Sequence, residues 1–184
     1  MVICPGPVAG TTSLALSLLA ASQAGSWCAA VGLSELGLVA AAGLGVSLDR
    51  FALVPHPGQQ WSVVTAALID AVDVVLVRPP RRMRLTDARR LVARARERGS
   101  VLVPISSAWS EAADLRLRVV AGAWDGLGPG HGFLQARTVE VVASGRGAAS
   151  RERRVRLWLP APRGKVAAAA SAVEAPAPPA AEAV

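Results

Sequence analysis

Basic residues other than arginine are almost absent from this sequence. Lys165 is the only lysine among 20 basic residues, tyrosine is absent, and Cys4 and Cys28 are the only two cysteines. Both cysteines lie in apolar runs and neither shows metal-ligand spacing, so we expect buried free thiols in a reducing compartment and no metal site. Richness in arginine and alanine without lysine indicates a GC-rich coding bias more simply than a functional signal.

The sequence also lacks the marks of export and of membrane insertion. No basic segment followed by an apolar one begins at Met1. The longest apolar stretch, residues 27–48, is interrupted by Glu35 and by glycines, which favours a buried strand, turn and helix over a membrane span. We therefore expect a cytoplasmic protein without a membrane partner.

The apolar content is high enough for a well-packed core. Hydrophobic residues make up 52% of the 184 residues, which predicts one globular domain over residues 1–160. The composition then turns to alanine, proline, glutamate and valine, which predicts a disordered tail over residues 161–184. The formal net charge of +7 permits nucleic acid or an acidic protein as a partner and does not choose between them.

Strand and helix patterns alternate through the first part of the chain. Residues 72–77 are almost all apolar, as in a strand buried on both faces of a parallel sheet, and Pro79 and Pro80 stop that strand. We expect strands at 1–4, 26–33, 51–54, 72–77 and 101–106 and helices at 11–24, 34–44, 61–71 and 86–98. Three strands without helices follow at 115–121, 138–143 and 154–159, with a glycine-rich loop at 126–132. This order predicts an α/β fold, a mostly parallel sheet flanked by helices and extended by C-terminal antiparallel strands.

A glycine-containing turn leads from the first strand into the first helix, which is the frame of a phosphate-binding loop. That motif requires four residues between its glycines and then Gly-Lys-Ser/Thr. Gly6 and Gly10 enclose three residues, and Thr11 stands where the lysine belongs, beside Thr12. Arg78 follows the fourth strand, where a nucleotide hydrolase needs a carboxylate. A tight strand-to-helix turn explains the segment without a ligand, so we expect no catalytic residue, no metal and no cofactor.

Arginines cluster after the fourth strand. Arg81, Arg82 and Arg84 form a basic turn, and Arg89 and Arg90 follow on the next helix. A solvated face is the default explanation, and the alternatives are a surface for a protein partner or for weak, non-specific contact with DNA phosphates. No set of aromatic residues accompanies these arginines for base stacking.

The order of these segments resembles the RecA core. Residues 6–12 look like a shortened RecA phosphate loop, and residues 45–60 resemble the segment around its third strand. Residues 72–77 resemble the RecA strand that usually ends in a magnesium-binding aspartate. The resemblance covers about residues 1–160 in the same order and implies a RecA-like, P-loop NTPase-type fold.

The departures from RecA are as informative as the matches. The loop lysine is absent, Arg78 replaces the acid, and Glu35 is displaced by one position from the expected catalytic glutamate. The long DNA-binding loops and the segment that joins RecA subunits are missing. A RecA core reduced in this way resembles the actinobacterial ImuA-type proteins, and the segments that fit are 24–33, 87–91, 124–128 and 154–159.

The ImuA-type resemblance implies a non-enzymatic accessory factor of the SOS response to DNA damage. Such a factor works with an ImuB-type, Y-family-like protein and an error-prone DnaE-type polymerase in mutagenic translesion synthesis. Two other functions stay open from the residues alone: an arginine-rich DNA-binding repair protein, and a P-loop ATPase with an atypical loop. The ATPase would need replacements for both the lysine and the carboxylate, and the sequence offers neither.

Overall fold

The computed structural model describes residues 1–22, 25–109, 113–129, 131–147 and 150–169. Strands and helices alternate through its first half, as the sequence predicts. The strands are β1 (Val2–Cys4), β2 (Cys28–Val31), β3 (Phe51–Val54), β4 (Val74–Val77) and β5 (Val101–Pro104). The helices are α1 (Thr11–Ser22), α2 (Leu38–Gly43), α3 (Trp61–Ala71) and α4 (Leu85–Arg98). Short 3-10 turns, Leu48–Arg50 and Gly58–Gln60, precede β3 and α3.

The second half of the chain is antiparallel. It comprises β6 (Leu115–Gly128), β7 (His131–Gly145), β8 (Arg153–Trp158) and β9 (Ala167–Ala168). One sheet has the order β1-β6-β7-β8-β9, in which only the pair β1–β6 is parallel, and the other has the parallel order β3-β2-β4-β5. A bridge between Ile3 and Ile105 links the two sheets. The expected α/β architecture is confirmed. The expected single, mostly parallel sheet is wrong, because β1 pairs with β6 and joins the antiparallel strands in a mixed sheet, while only the sheet β3-β2-β4-β5 is parallel throughout.

Strand β4 is buried on both faces, as its apolar run predicts. Val74 and Leu76 belong to the core cluster beneath α1, whereas Val75 and Val77 belong to the cluster beneath α3 and α4. Burial of each such side chain contributes roughly 1.5–3 kcal/mol. The parallel sheet therefore lies between two helical layers, and the residues that follow its strands are held at one edge of a rigid scaffold.

Helix α4 is fixed to α3 by charge as well as by apolar contact. Arg94 and Arg98 both form ion pairs with Asp70 at the end of α3, and Gly99 closes α4 in the left-handed conformation, with φ 70°. The hydrogen bond from Arg94 is the main reason that the pKa of Asp70 falls from 3.8 to about 2. The carboxylate therefore favours the folded state, because its folded-state pKa lies below its unfolded value.

Substitution Asp70→Asn should lower the melting temperature slightly at neutral pH, because it removes the charge that both arginines share. The contribution of Asp70 is fully present above pH 3.8 and is lost as the pH falls towards 2. Thermal melts of the wild type and the variant should therefore differ at neutral pH and converge in acid. A difference that persists near pH 2 would contradict the assignment.

The expected glycine-rich loop at residues 126–132 is wrong in detail. Strand β6 continues to Gly128 and β7 begins at His131, so most of the segment lies within a long hairpin. Gly126 and Gly132 have φ values of 102° and 100°, a backbone conformation that residues with a side chain rarely adopt. The glycines therefore allow a bulge in the hairpin, and the segment resembles a loop only in its composition.

The expected tail boundary at residue 161 is too early. Ala161 is buried, and β9 pairs with Leu157 and Trp158 of β8. Packing against the sheet thus continues to residue 169, although the segment shows no apolar periodicity. The rest of the expected tail, residues 170–184, lies outside the described residues.

Candidate functional site: a degenerate phosphate loop

The loop over residues 5–10 packs directly against the antiparallel sheet. A Cβ atom placed on Gly6 would lie 1.8 Å from the carbonyl oxygen of Val119, so a side chain at this position would collide with β6. Gly10 has a φ of 129°, and its carbonyl accepts the first hydrogen bond of α1 from Leu14, at 2.8 Å. The two glycines that resemble a phosphate loop therefore have steric roles of their own.

A buried arginine holds this loop from beneath. Arg137 on β7 is 8% exposed and donates a hydrogen bond from Nη2 to the carbonyl oxygen of Ala9. Its guanidinium lies over the Trp124 ring, 5.5 Å from the ring centroid. Cβ atoms on Gly10 and Gly122 would approach it to 3.2 and 2.8 Å, so both glycines provide the space that it fills.

Sequence reasoning missed Arg137. Its partner Ala9 is 128 residues away along the chain and offers a backbone carbonyl, which leaves no mark in the sequence. Within the described part of the chain the Nε atom of Arg137 has no hydrogen-bond partner. The side chain thus bonds to the loop through its Nη2 atom.

Arg78 lies where the sequence places it, at the carboxyl end of β4 and beside α1. Its Nη1 atom forms an ion pair with Glu35, and its Nη2 atom donates to Thr12 Oγ1 at 3.5 Å. Partial burial lowers the pKa of the Arg78 guanidinium. Gly32, with a φ of 75°, turns the chain after β2 and brings the Glu35 segment against Arg78.

These contacts determine what the site can do chemically. Glu35, the acid nearest to the position expected of a catalytic glutamate, is neutralised by Arg78, which stands at the position expected of a magnesium-binding acid. Thr11 begins α1 and brings no charge to the loop. The structure brings together Thr12, Glu35 and Arg78, and it places the Arg137 side chain next to Gly10. Among the described residues, Glu35 is the one carboxylate found in an ion pair with Arg78.

The basic turn after β4 borders a separate cleft of about 750 Å³. Arg82 and Arg84 line it together with Asp87 and with Trp61 and Ser62 at the start of α3; the other lining residues are Gly58, Gln59 and Pro80. Arg81 is exposed nearby. No hydrogen bond or ion pair joins the side chains of Arg81, Arg82 and Arg84 to any described residue.

The five arginines singled out in the sequence do not line one surface together. Arg90 lies on the groove between α3 and α4, a space of about 570 Å³, and Arg89 is exposed on the same helix. Trp61, the aromatic residue of the basic cleft, is buried. That cleft therefore offers guanidinium groups without a stacking platform.

Comparison with known proteins assigns the family. The family model described as the MT3502 N-terminal domain matches residues 6–111. The chain belongs to the MT3502 N-terminal domain family. Its match to the uncharacterized protein Rv3395c of Mycobacterium tuberculosis is 42% identical over 106 residues, 56% of this chain and 52% of that protein. The matched region thus spans about half the length of this relative.

A solved structure supports the fold. The flagellar accessory protein FlaH from Methanocaldococcus jannaschii superposes with a TM-score of 0.56 and 11% identity, covering 92% of this chain and 89% of that one. At that identity the likeness concerns the fold alone, and it extends well beyond the MT3502 N-terminal segment. The MT3502 N-terminal match contains Thr12, Glu35, Arg78 and the basic turn, whereas Arg137 lies outside it.

Two further observations concern the described residues of this MT3502 N-terminal family member. In the part of the chain that the structure describes, no three His, Cys, Asp or Glu side chains cluster closely enough to hold a metal ion. No described helix combines the length and apolar character needed to cross a bilayer.

Proposed function

We propose that this protein is a non-catalytic, RecA-like accessory protein of DNA-damage-induced (SOS) mutagenic translesion synthesis. It acts by binding an ImuB-type, Y-family-like protein and an error-prone DnaE-type polymerase. The observation that carries the non-catalytic part is the ion pair between Arg78 and Glu35 at the end of β4. The named partners rest on the ImuA-type resemblance of the sequence.

The Arg78–Glu35 pair supports the absence of catalysis for an electrostatic reason. Phosphoryl transfer in P-loop proteins needs a lysine on the phosphates and Mg²⁺ held by an acidic side chain. Here a cation stands at the acidic position, and the nearest carboxylate is already bound to it. The Arg137 bond to Ala9 holds the loop against β6 and β7. The fold is kept while the phosphate chemistry is lost, as in a protein that acts through its surface.

The basic cleft supports the choice of a protein partner. Arginine is enriched at interface anchors because its planar fork pairs a carboxylate at two points. Arg81, Arg82 and Arg84 are exposed and their side chains have no partner among the described residues, so their guanidinium donors are free for a partner's acidic segment. We define these three residues as the basic turn surface.

Charge reversal of the basic turn surface, Arg81→Glu, Arg82→Glu and Arg84→Glu, should weaken binding of the ImuB-type partner at least about tenfold, because rim and anchor charges both contribute to association. The matched control reverses three exposed arginines in or just before β8 of the other sheet, Arg151, Arg153 and Arg156, with the same change in net charge. A pull-down and a binding titration with the purified partner check both variants.

Equal weakening by both variants would indicate a general charge effect and contradict a docking role. Binding of DNA is the second candidate function, because phosphates also bind unpaired guanidinium groups. Titration of single- and double-stranded DNA at two salt concentrations separates the two functions. We expect weak binding that salt abolishes, and tight binding that persists in high salt would favour the DNA-binding function over the one proposed.

A further inference from the structure

The distal part of the β6–β7 hairpin extends beyond its neighbouring strands. β1 pairs with β6 at Arg116–Arg118, and β8 pairs with β7 at Thr138–Ala143. No described strand other than its partner in the hairpin pairs with residues 123–129 or 131–136. We name these two segments the hairpin arm. Their outer edges carry backbone groups of the kind that invite pairing with another strand.

The hairpin arm exposes large apolar side chains. Leu127 is 64% exposed, Phe133 69%, and Trp124 and Leu134 are each 49% exposed. Phe133 and Leu134 lie in a bulge, since β7 advances four residues from Gly132 to Ala136 while β6 advances two. Bulges re-aim side chains and locally end regular pairing. Monomeric proteins rarely expose a large contiguous apolar patch, and such a patch commonly marks an interaction site.

The charge of the hairpin arm indicates what it binds. Asp125 and His131 are its only titratable residues, although the whole chain has a formal net charge of +7. A nucleic acid requires cations for its phosphates, and the arm has none. Two copies of the chain repel each other where their arginines face, and the neutral arm is a surface on which they can approach without that repulsion.

We infer that two copies of this chain associate through their hairpin arms to form a twofold-symmetric dimer. An edge strand that pairs antiparallel with its own copy is self-complementary about a twofold axis, so no second pattern has to match it. The apolar side chains of both arms then leave water together, in an interface depleted of charge as interface cores are. The basic turn surface follows β4 of the other sheet, so it lies outside the dimer contact.

Sedimentation velocity of the full chain over a wide range of concentrations tests the inference. The wild type should dimerise, and added salt should not weaken the dimer, because salt screens the repulsion between copies. The double variant Phe133→Ser and Leu134→Ser should raise the dissociation constant at least about tenfold, the effect expected when interface anchors are truncated.

The matched control is Val63→Ser, which removes an apolar side chain that is 63% exposed on α3. It should dimerise like the wild type. Circular dichroism verifies that each variant is folded. If the double variant is not folded, the association state of the wild type alone decides whether the inference stands. A wild type that stays monomeric overturns the inference, as does a dimer that the double variant leaves unchanged.

Discussion

ATP is expected neither to bind tightly to this protein nor to be hydrolysed by it, with or without DNA. The loop lysine is replaced by Thr11, which brings no charge, and the magnesium-binding acid is replaced by Arg78, which repels the metal. Loss of one preorganised electrostatic contact commonly lowers a rate by a factor on the order of 10²–10³. Loss of both should leave turnover below detection.

Arg78 is the strongest argument for residual nucleotide binding, because a guanidinium can contact a phosphate. Its ion pair with Glu35 opposes this, since an incoming phosphate would have to displace the carboxylate or accept its repulsion. Arg78 in any case cannot hold Mg²⁺. Any nucleotide that does bind should therefore bind weakly and without dependence on magnesium.

Calorimetry with ATP, and phosphate release in the presence and absence of DNA, check this expectation. A working RecA-family ATPase measured in parallel serves as the positive control. The variant Thr12→Ala should behave like the wild type in both assays, because its hydroxyl contacts Arg78 in this structure and no phosphate chemistry depends on it. Micromolar magnesium-dependent binding, or turnover that Thr12→Ala abolishes, would make the protein an ATPase.

Substitution Gly6→Ala should destabilise the fold by at least about 3 kcal/mol, in the range of severe single substitutions. The added Cβ would lie 1.8 Å from the Val119 carbonyl oxygen, and neither backbone can move without disturbing the β1–β6 contact. For a domain of this size the loss corresponds to a fall in melting temperature of about 6–12 °C.

Thermal melts compare this variant with Gly43→Ala. A Cβ atom on Gly43, the last residue of α2, would meet nothing within 4 Å, and alanine favours helix. The control should therefore melt at the wild-type temperature or slightly above it. An unchanged melting temperature for Gly6→Ala would mean that the loop does not rest on β6.

The fold could be predicted from the sequence where local pattern and tertiary environment agree. The run Val74–Val77 is apolar throughout because both faces of β4 are covered, and the spacing of Ala88, Leu91 and Ala95 in α4 reports its one buried face. For the hairpin the sequence predicts a loop, because the glycines that allow its bulge are also typical of loops. Composition alone does not distinguish the two.

The candidate site could be predicted in part. The position of Arg78 beside the loop followed from the general rule that functional groups lie beyond the carboxyl ends of parallel strands. Its pairing with Glu35 depends on a turn after β2 that Gly32 makes possible, and the sequence does not give that geometry. Arg137 was missed because its contacts are a backbone carbonyl, an aromatic ring and two glycines from distant segments.

The pairing of β1 with β6 bears on whether the family-matched segment is an autonomous folding unit. A fragment ending at residue 111 would keep β1 but lose the strand that forms its ladder. It would also lose Leu117, Val119, Val139 and Val141, which complete the core beneath α1. The end of the N-terminal match is therefore a boundary of sequence similarity alone. The cooperative folding unit continues past it into the antiparallel strands.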